Sequence, residues 1–197
     1  MAEAAQKIER EDEGRAAIRR RQVLTVASEL FAKKGFEATS IRDIATAAGM
    51  MSGSLYYHFA SKEDLYVAVQ DASISKIYNA VASAIETNAA PWERLEAAAV
   101  AHVEAMLDRS GFRVLVTPLF PPGLDKAVRD ALVAQRDRFE RMMEKVIADL
   151  PLPDSIDRRI FQRHYLGAIN WVPVWYDYDG PAAPADIVRQ FIATLRR

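Results

Sequence analysis

Apolar positions recur at three- and four-residue intervals along almost the whole chain, and nowhere do they alternate strictly with polar ones. Val23, Leu24, Ala27, Leu30 and Phe31 share one helical face, and "KKG" at 33–35 closes that segment with cations and a glycine stop. The pattern predicts a helix from about Ala16 to Lys34. Residues 1–14 mix charges of both signs without a sustained apolar face, and are expected as a flexible arm or the frayed start of that helix. Two short helices follow. One runs from about Ile41 to Ala48, with Ser40 as cap and Asp43 in its first turn; the other runs from about Gly53 to Phe59, with Ser52 as cap. Ser61 and Asp64 mark the start of a long helix from Lys62 to about Glu86.

Pro91 suits the first turn of a further helix reaching about Asp108. The stretch "GFRVLVTPLFPPGLD" at 111–125 is irregular, with a short helix and a turn around Pro121-Pro122 expected. Helices over about 124–149 and 155–177, and a last one from about Pro184 to Arg196, complete the pattern. With no strand-like alternation bounded by turn dipeptides, the fold class is all-α. The expected organisation is an arm at 1–14, a three-helix domain at 15–67 and a larger helical domain at 68–197.

Composition narrows the function classes. The chain has 197 residues, enough to bury a real core, and no cysteine, which removes disulfides, thiolate metal sites and thiol nucleophiles. No run of 18 apolar residues occurs, and the first 21 residues are highly charged, so a soluble cytoplasmic protein without membrane contact is expected. No Gly-rich phosphate loop or GxSxG is present. His58, His102 and His164 lie far apart, without ligand-type spacing, and "DYDG" at 177–180 reads as a helix end and turn. No catalytic residue, metal site or cofactor is therefore expected. The summed charge is −1, which does not exclude nucleic acid, because only the field near phosphates matters.

That local field is basic. From Arg15 to Lys62 there are eight Lys or Arg (15, 19, 20, 21, 33, 34, 42, 62) against three acids (29, 37, 43). Within the same span, two short helices separated by Gly49 and braced by a preceding helix form a helix-turn-helix pattern. Ala45 and Ala48 allow a close helix crossing, and Ser52, Gly53 and Ser54 leave the start of the second helix slim enough for a major groove. If Leu55 and Phe59, four residues apart, turn inward, Tyr56, Tyr57 and His58 remain outside, where they suit phosphates and base edges. Lys62 adds a cation at the next helix start. Met51 can simply pack and carries no expectation about specificity, and Arg19, Arg20 and Arg21 are read as a solvated helix face in preference to groove contacts.

"ELFAKKGFEATSIRDIATAAGMMSGSLYYHFASKEDL" resembles the N-terminal domain of the TetR family of bacterial transcriptional regulators, over roughly residues 20–67. "LFAKKGF", "TSIRDIA", the turn glycine, "GSLYYHF" and "SKEDL" fall in order. The resemblance implies a helix near Ser52 that reads the major groove, with Tyr56 on a base. It further implies backbone contacts from Tyr57, His58 and Lys62, and phosphate contacts from Ser40 and Arg42. Met50-Met51 departs from the valine and polar residue common there.

For the C-terminal domain the resemblance implies ligand sensing and dimerisation. Pro173 interrupts the helical pattern "INWVPVWYDY", with Trp171 and Trp175 on one face around it, and Phe112, Leu115 and Phe120 fall in the proline-rich segment. An elongated apolar pocket is expected there, with His102, Tyr165 or Asn170 as polar anchors. The tail from Asn170 more narrowly resembles family members that govern fatty-acid and sterol breakdown, which implies an acyl-CoA thioester as one possible small hydrophobic ligand. Ile187, Phe191 and Leu195 recur four apart and are expected at a homodimer interface that presents two reading helices to a palindromic double-stranded operator. The expected function is a ligand-released repressor. The alternative is a small-molecule-binding helical protein or enzyme whose N-terminal domain makes protein contacts.

Overall fold

Helix-stop and cap residues partition the chain. The computed structural model describes residues 2–86, 90–109, 112–114 and 120–196, with side chains from Ala16 onward. Among them are eight α-helices and no strand. The amino-terminal module comprises α1 (Ala2–Lys34), α2 (Ile41–Ala47) and α3 (Ser52–His58). α4 (Lys62–Ile85) leads out of it to α5 (Pro91–Leu107), α6 (Lys126–Ala148), α7 (Arg158–Trp175) and α8 (Pro184–Leu195). Residues 2–14 are helical, so α1 reaches back past Ala16. Ala, Glu, Gln, Lys and Arg favour helix even where no apolar face needs burying. In 111–125 the described residues contain no helix; a turn follows Pro121, with Gly123 at φ +83°.

Two apolar cores hold the helices, and α4 contributes to both. The first joins Val23, Ala27 and Phe31 of α1 to Ile44, Leu55, Phe59, Leu65 and Val69; the second joins Ile77 and Val81 to α5–α8. The first core is completed from far along the chain. Leu124 and Leu132 belong to it, and Phe112, Phe120 and Val128 pack against it. Val114 packs against the second core, so the segment after α5 touches both. Lys76 on α4 holds that segment: its Nζ donates to Asp108 Oδ2 at 2.9 Å and to the Phe112 carbonyl at 3.0 Å.

Candidate nucleic-acid interface

Local chemistry places α2 and α3. Ser40 Oγ accepts the Asp43 amide at 3.1 Å, and Asp43 Oδ2 accepts from the Ser40 amide at 3.1 Å and from its hydroxyl at 2.9 Å. This reciprocal capping box fixes the start of α2. The same bonds, that from the Ser40 backbone amide first, hold the Asp43 carboxyl below its ordinary pKa. Gly49 turns the chain at φ +66°, a conformation that disfavours any side chain.

One expectation fails at the start of α3. Ser52 is its first helical residue, and the cap is Met51, whose carbonyl accepts the Ser54 and Leu55 amides at 3.0 and 3.3 Å; no side chain caps this end. The turn at Gly49 leaves Met51 in extended backbone, so helical winding begins one residue earlier than the serine-cap pattern implies.

Burial of Leu55 and Phe59 fixes what α3 presents. Tyr56 and Tyr57 are 53% and 85% exposed, Gly53 and Ser54 are exposed, and Ser52 and His58 are half-buried, with the His58 ring edge-on to Tyr57 at 5.3 Å. Ser40 and Arg42 are exposed on the neighbouring α2. Arg19, Arg20 and Arg21 are also exposed, and the Arg20 guanidinium lies 4.9 Å from the Phe59 ring centre, beside the end of α3. Lys62 is half-buried, its ammonium donating to the Phe36 carbonyl at 3.1 Å.

Sequence reasoning left Met51 without a role. It does not pack: it is 78% exposed, while Met50 packs against the first core. Nothing in the spacing separates two adjacent methionines; only the turn decides which of them faces out.

Residues 23–69 match the family model of bacterial regulatory proteins of the tetR family, and residues 88–197 match that of tetracyclin repressor-like C-terminal domains. The chain belongs to the TetR family. This TetR-family protein is 30% identical over 185 residues to the HTH-type transcriptional repressor KstR2 of Mycolicibacterium smegmatis, covering 91% of this chain and 89% of that one. The ketosteroid transcriptional regulator KstR2 of Mycobacterium tuberculosis superposes with a TM-score of 0.74 at 25% identity, over 90% of this chain and 92% of that one. AibR, solved in complex with isovaleryl coenzyme A and operator DNA, shares the fold, with a TM-score of 0.79 at 23% identity over 89% and 97% of the two chains. The TetR family is one of DNA-binding transcriptional regulators, not of enzymes.

In the C-terminal part of this TetR-family chain, the residues expected to line one pocket separate. Tyr165 lies in the second core at 1% exposure, and His102 is buried against it at 2%. The His102 ring meets Phe139 edge-on at 5.0 Å, and Tyr165 stacks on Phe191 at 6.2 Å. Neither His102 Nδ1 nor the Tyr165 hydroxyl has a hydrogen-bond partner among the described residues. Burial alone lowers the His102 pKa to about 3 and raises that of Tyr165. Phe112 and Phe120 pack against the first core instead, and Leu115 lies outside the described residues. Asn170 is exposed, as are Trp171 and Trp175 at 55% and 53%. α7 buries Tyr165, Leu166, Ile169 and Val172, and its 3.6-residue period turns 170, 171 and 175 away from them.

The two tryptophans instead line a shallow groove of about 250 Å³ with Ala168, Val172, Ile187 and Phe191. The α8 stripe is therefore shared. Ile187, Phe191 and Leu195 are half-buried against the second core, and Val188 and Ile192 form the fully buried face. Asp177–Gly180 is a turn, closed by the Asp179 amide on Asp177 Oδ1 at 3.0 Å. No helix among the described residues is long and apolar enough to cross a membrane.

Proposed function

We propose that this chain is a cytoplasmic, ligand-responsive repressor that binds a palindromic operator as a homodimer and leaves it when a small hydrophobic molecule enters the α4–α8 domain. The observation that carries the reading is the outward face of α3. Two exposed tyrosines beside small residues, with Arg42 exposed on the neighbouring α2, suit entry into a major groove flanked by phosphates. Tyr56 is assigned to a base. Ser40, Arg42, Tyr57, His58 and Lys62 are assigned to phosphates, and Ser52, Gly53 and Ser54 to the close approach.

Two further observations support the ligand and the dimer. A buried polar atom without a partner costs about 1–3 kcal/mol, and a ligand bonded to His102 Nδ1 or to the Tyr165 hydroxyl removes that cost. An acyl-CoA thioester is the leading ligand candidate, on the resemblance of the tail to regulators of fatty-acid and sterol breakdown. For the dimer, Ile160, Trp171, Val174 and Trp175 expose large apolar surface on α7, which a second copy related by a two-fold axis would cover. Two α3 helices then read half-sites ~34–36 Å apart. Because α4 is part of both cores, a ligand-favoured shift of this helix alters that separation, at a coupling of ~1–3 kcal/mol.

Titration of duplex DNA across salt concentrations tests the reading. Binding is expected to weaken steeply with salt, Arg42→Gln to reduce the slope by about one unit, and Tyr57→Phe to weaken binding at every salt concentration. Indifference of both variants to duplex DNA would overturn it.

A further inference from the structure

We infer that Met51 determines operator specificity by reading the 5-methyl group of thymine. The inference rests on the DNA-binding function proposed above and adds to it a base and a residue.

Met51 carries a long apolar side chain, 78% exposed, that belongs to neither core. It contributes no side-chain cap to α3. Nothing among the described residues accounts for its exposure. Gly53, two residues on, is equally unaccounted for from within. It is not among the glycines at positive φ, and a Cβ built on it meets nothing within 4 Å. Glycine is also a poor helix former, so the fold gains nothing from it there. A surface approaching from outside accounts for both residues: the absent Cβ lets it come near, and the thioether chain reaches it.

The chemistry of that surface follows from the side chain. Base edges in the major groove offer donors, acceptors and one apolar feature, the thymine methyl. A thioether donates no hydrogen bond and accepts one weakly, so it cannot answer the polar groups of guanine, cytosine or adenine. Against a methyl it makes dispersion contact, and its unbranched, polarisable chain adapts to the geometry. The neighbouring Tyr56, Ser52 and Ser54 carry hydroxyls for polar edges, whereas Met51 presents a purely aliphatic and thioether chain at the start of α3.

The test removes only the methyl. Duplexes are enriched from a random library by the full-length protein and, separately, by its Met51→Ala variant. The enriched wild-type duplex is then resynthesised with each thymine replaced in turn by uracil. One thymine in each half-site is expected to lose about fourfold in affinity for the wild-type protein on replacement, as for one buried methyl. Met51→Leu is expected to keep that sensitivity, and Met51→Ala to lose both the sensitivity and the base preference at that position. Uracil tolerated at every thymine, or a sensitivity unchanged in Met51→Ala, overturns the role of Met51 while leaving DNA binding intact. Enrichment of no duplex by the wild-type protein overturns the DNA-binding function, and this inference with it.

Discussion

The Lys62 ammonium donates to the Phe36 carbonyl at 3.1 Å and lies 4.1 Å from the centre of the same residue's ring. The first residue of α4 is thereby fastened to the turn between α1 and α2, across 26 residues of sequence. Phe36 in turn meets Tyr66 edge-on at 4.9 Å, one turn further along α4. The helix that leaves the amino-terminal module is thus gripped by it at its very start.

Lys62→Met keeps the aliphatic stem and removes both the charged donor and the cation–ring contact. Because the side chain is half-buried, the expected loss is about 1 kcal/mol, a fall in Tm of roughly 2–4 °C in thermal unfolding. The carbonyl uses one of three ammonium donors, which leaves two for a phosphate. The same variant is therefore also expected to flatten the salt dependence of duplex binding by about one unit.

Two glycines in the same module are expected to behave oppositely. Gly49→Ala forces a side chain to φ +66° and costs about 1–2 kcal/mol, although its Cβ meets nothing within 4 Å. Gly53→Ala is expected to leave stability unchanged or raise it by up to about 1 kcal/mol, while weakening duplex binding. Urea denaturation and DNA titration of both variants separate the two roles.

Leu132 sits on α6, 1% exposed, in the core of the amino-terminal module. Leu132→Ala is expected to cost about 2–4 kcal/mol, as for other buried leucines. Amide exchange should rise in α1–α3, far from the substitution in sequence; exchange confined to α6 would refute the shared core.

His102 gives a pH dependence whose sign follows from burial. Its folded pKa of about 3 lies below the ordinary 6.5, so the unfolded chain binds the extra proton between those values. Stability is whole above pH 6.5 and falls as pH drops towards 3, by up to about 1.4 kcal/mol per pH unit from this one group. In His102→Leu the decline of stability with falling pH should be shallower across that window, as measured by denaturant midpoints.

Trp171→Ser combined with Trp175→Ser removes apolar surface that is more than half exposed in the single chain, so the fold should persist. Sedimentation velocity should show a shift from dimer to monomer, with duplex binding weakened and helical content retained. An unchanged dimer would place the interface elsewhere.

Residues acting on near neighbours were legible in the sequence. Ser40 caps α2 with Asp43 in its first turn, Gly49 supplies the positive φ of the next turn, and Leu55 with Phe59 could bury together only by leaving Tyr56 and Tyr57 outside. Each follows from helical geometry over one or two turns, and the same rules fixed an all-helical chain with an exposed aromatic face on α3. Tertiary structure decided the rest. On α7 both the face bearing Tyr165 and Val172 and the face bearing Trp171 and Trp175 are apolar, so periodicity could not say which one meets the core. Phe112 and Phe120 went to the amino-terminal core, and Met51 turned outward where Met50 turned in. Lys62 found a carbonyl 26 residues away. Spacing records which residues share a face, but which face is buried depends on the helices that arrive from elsewhere in the chain.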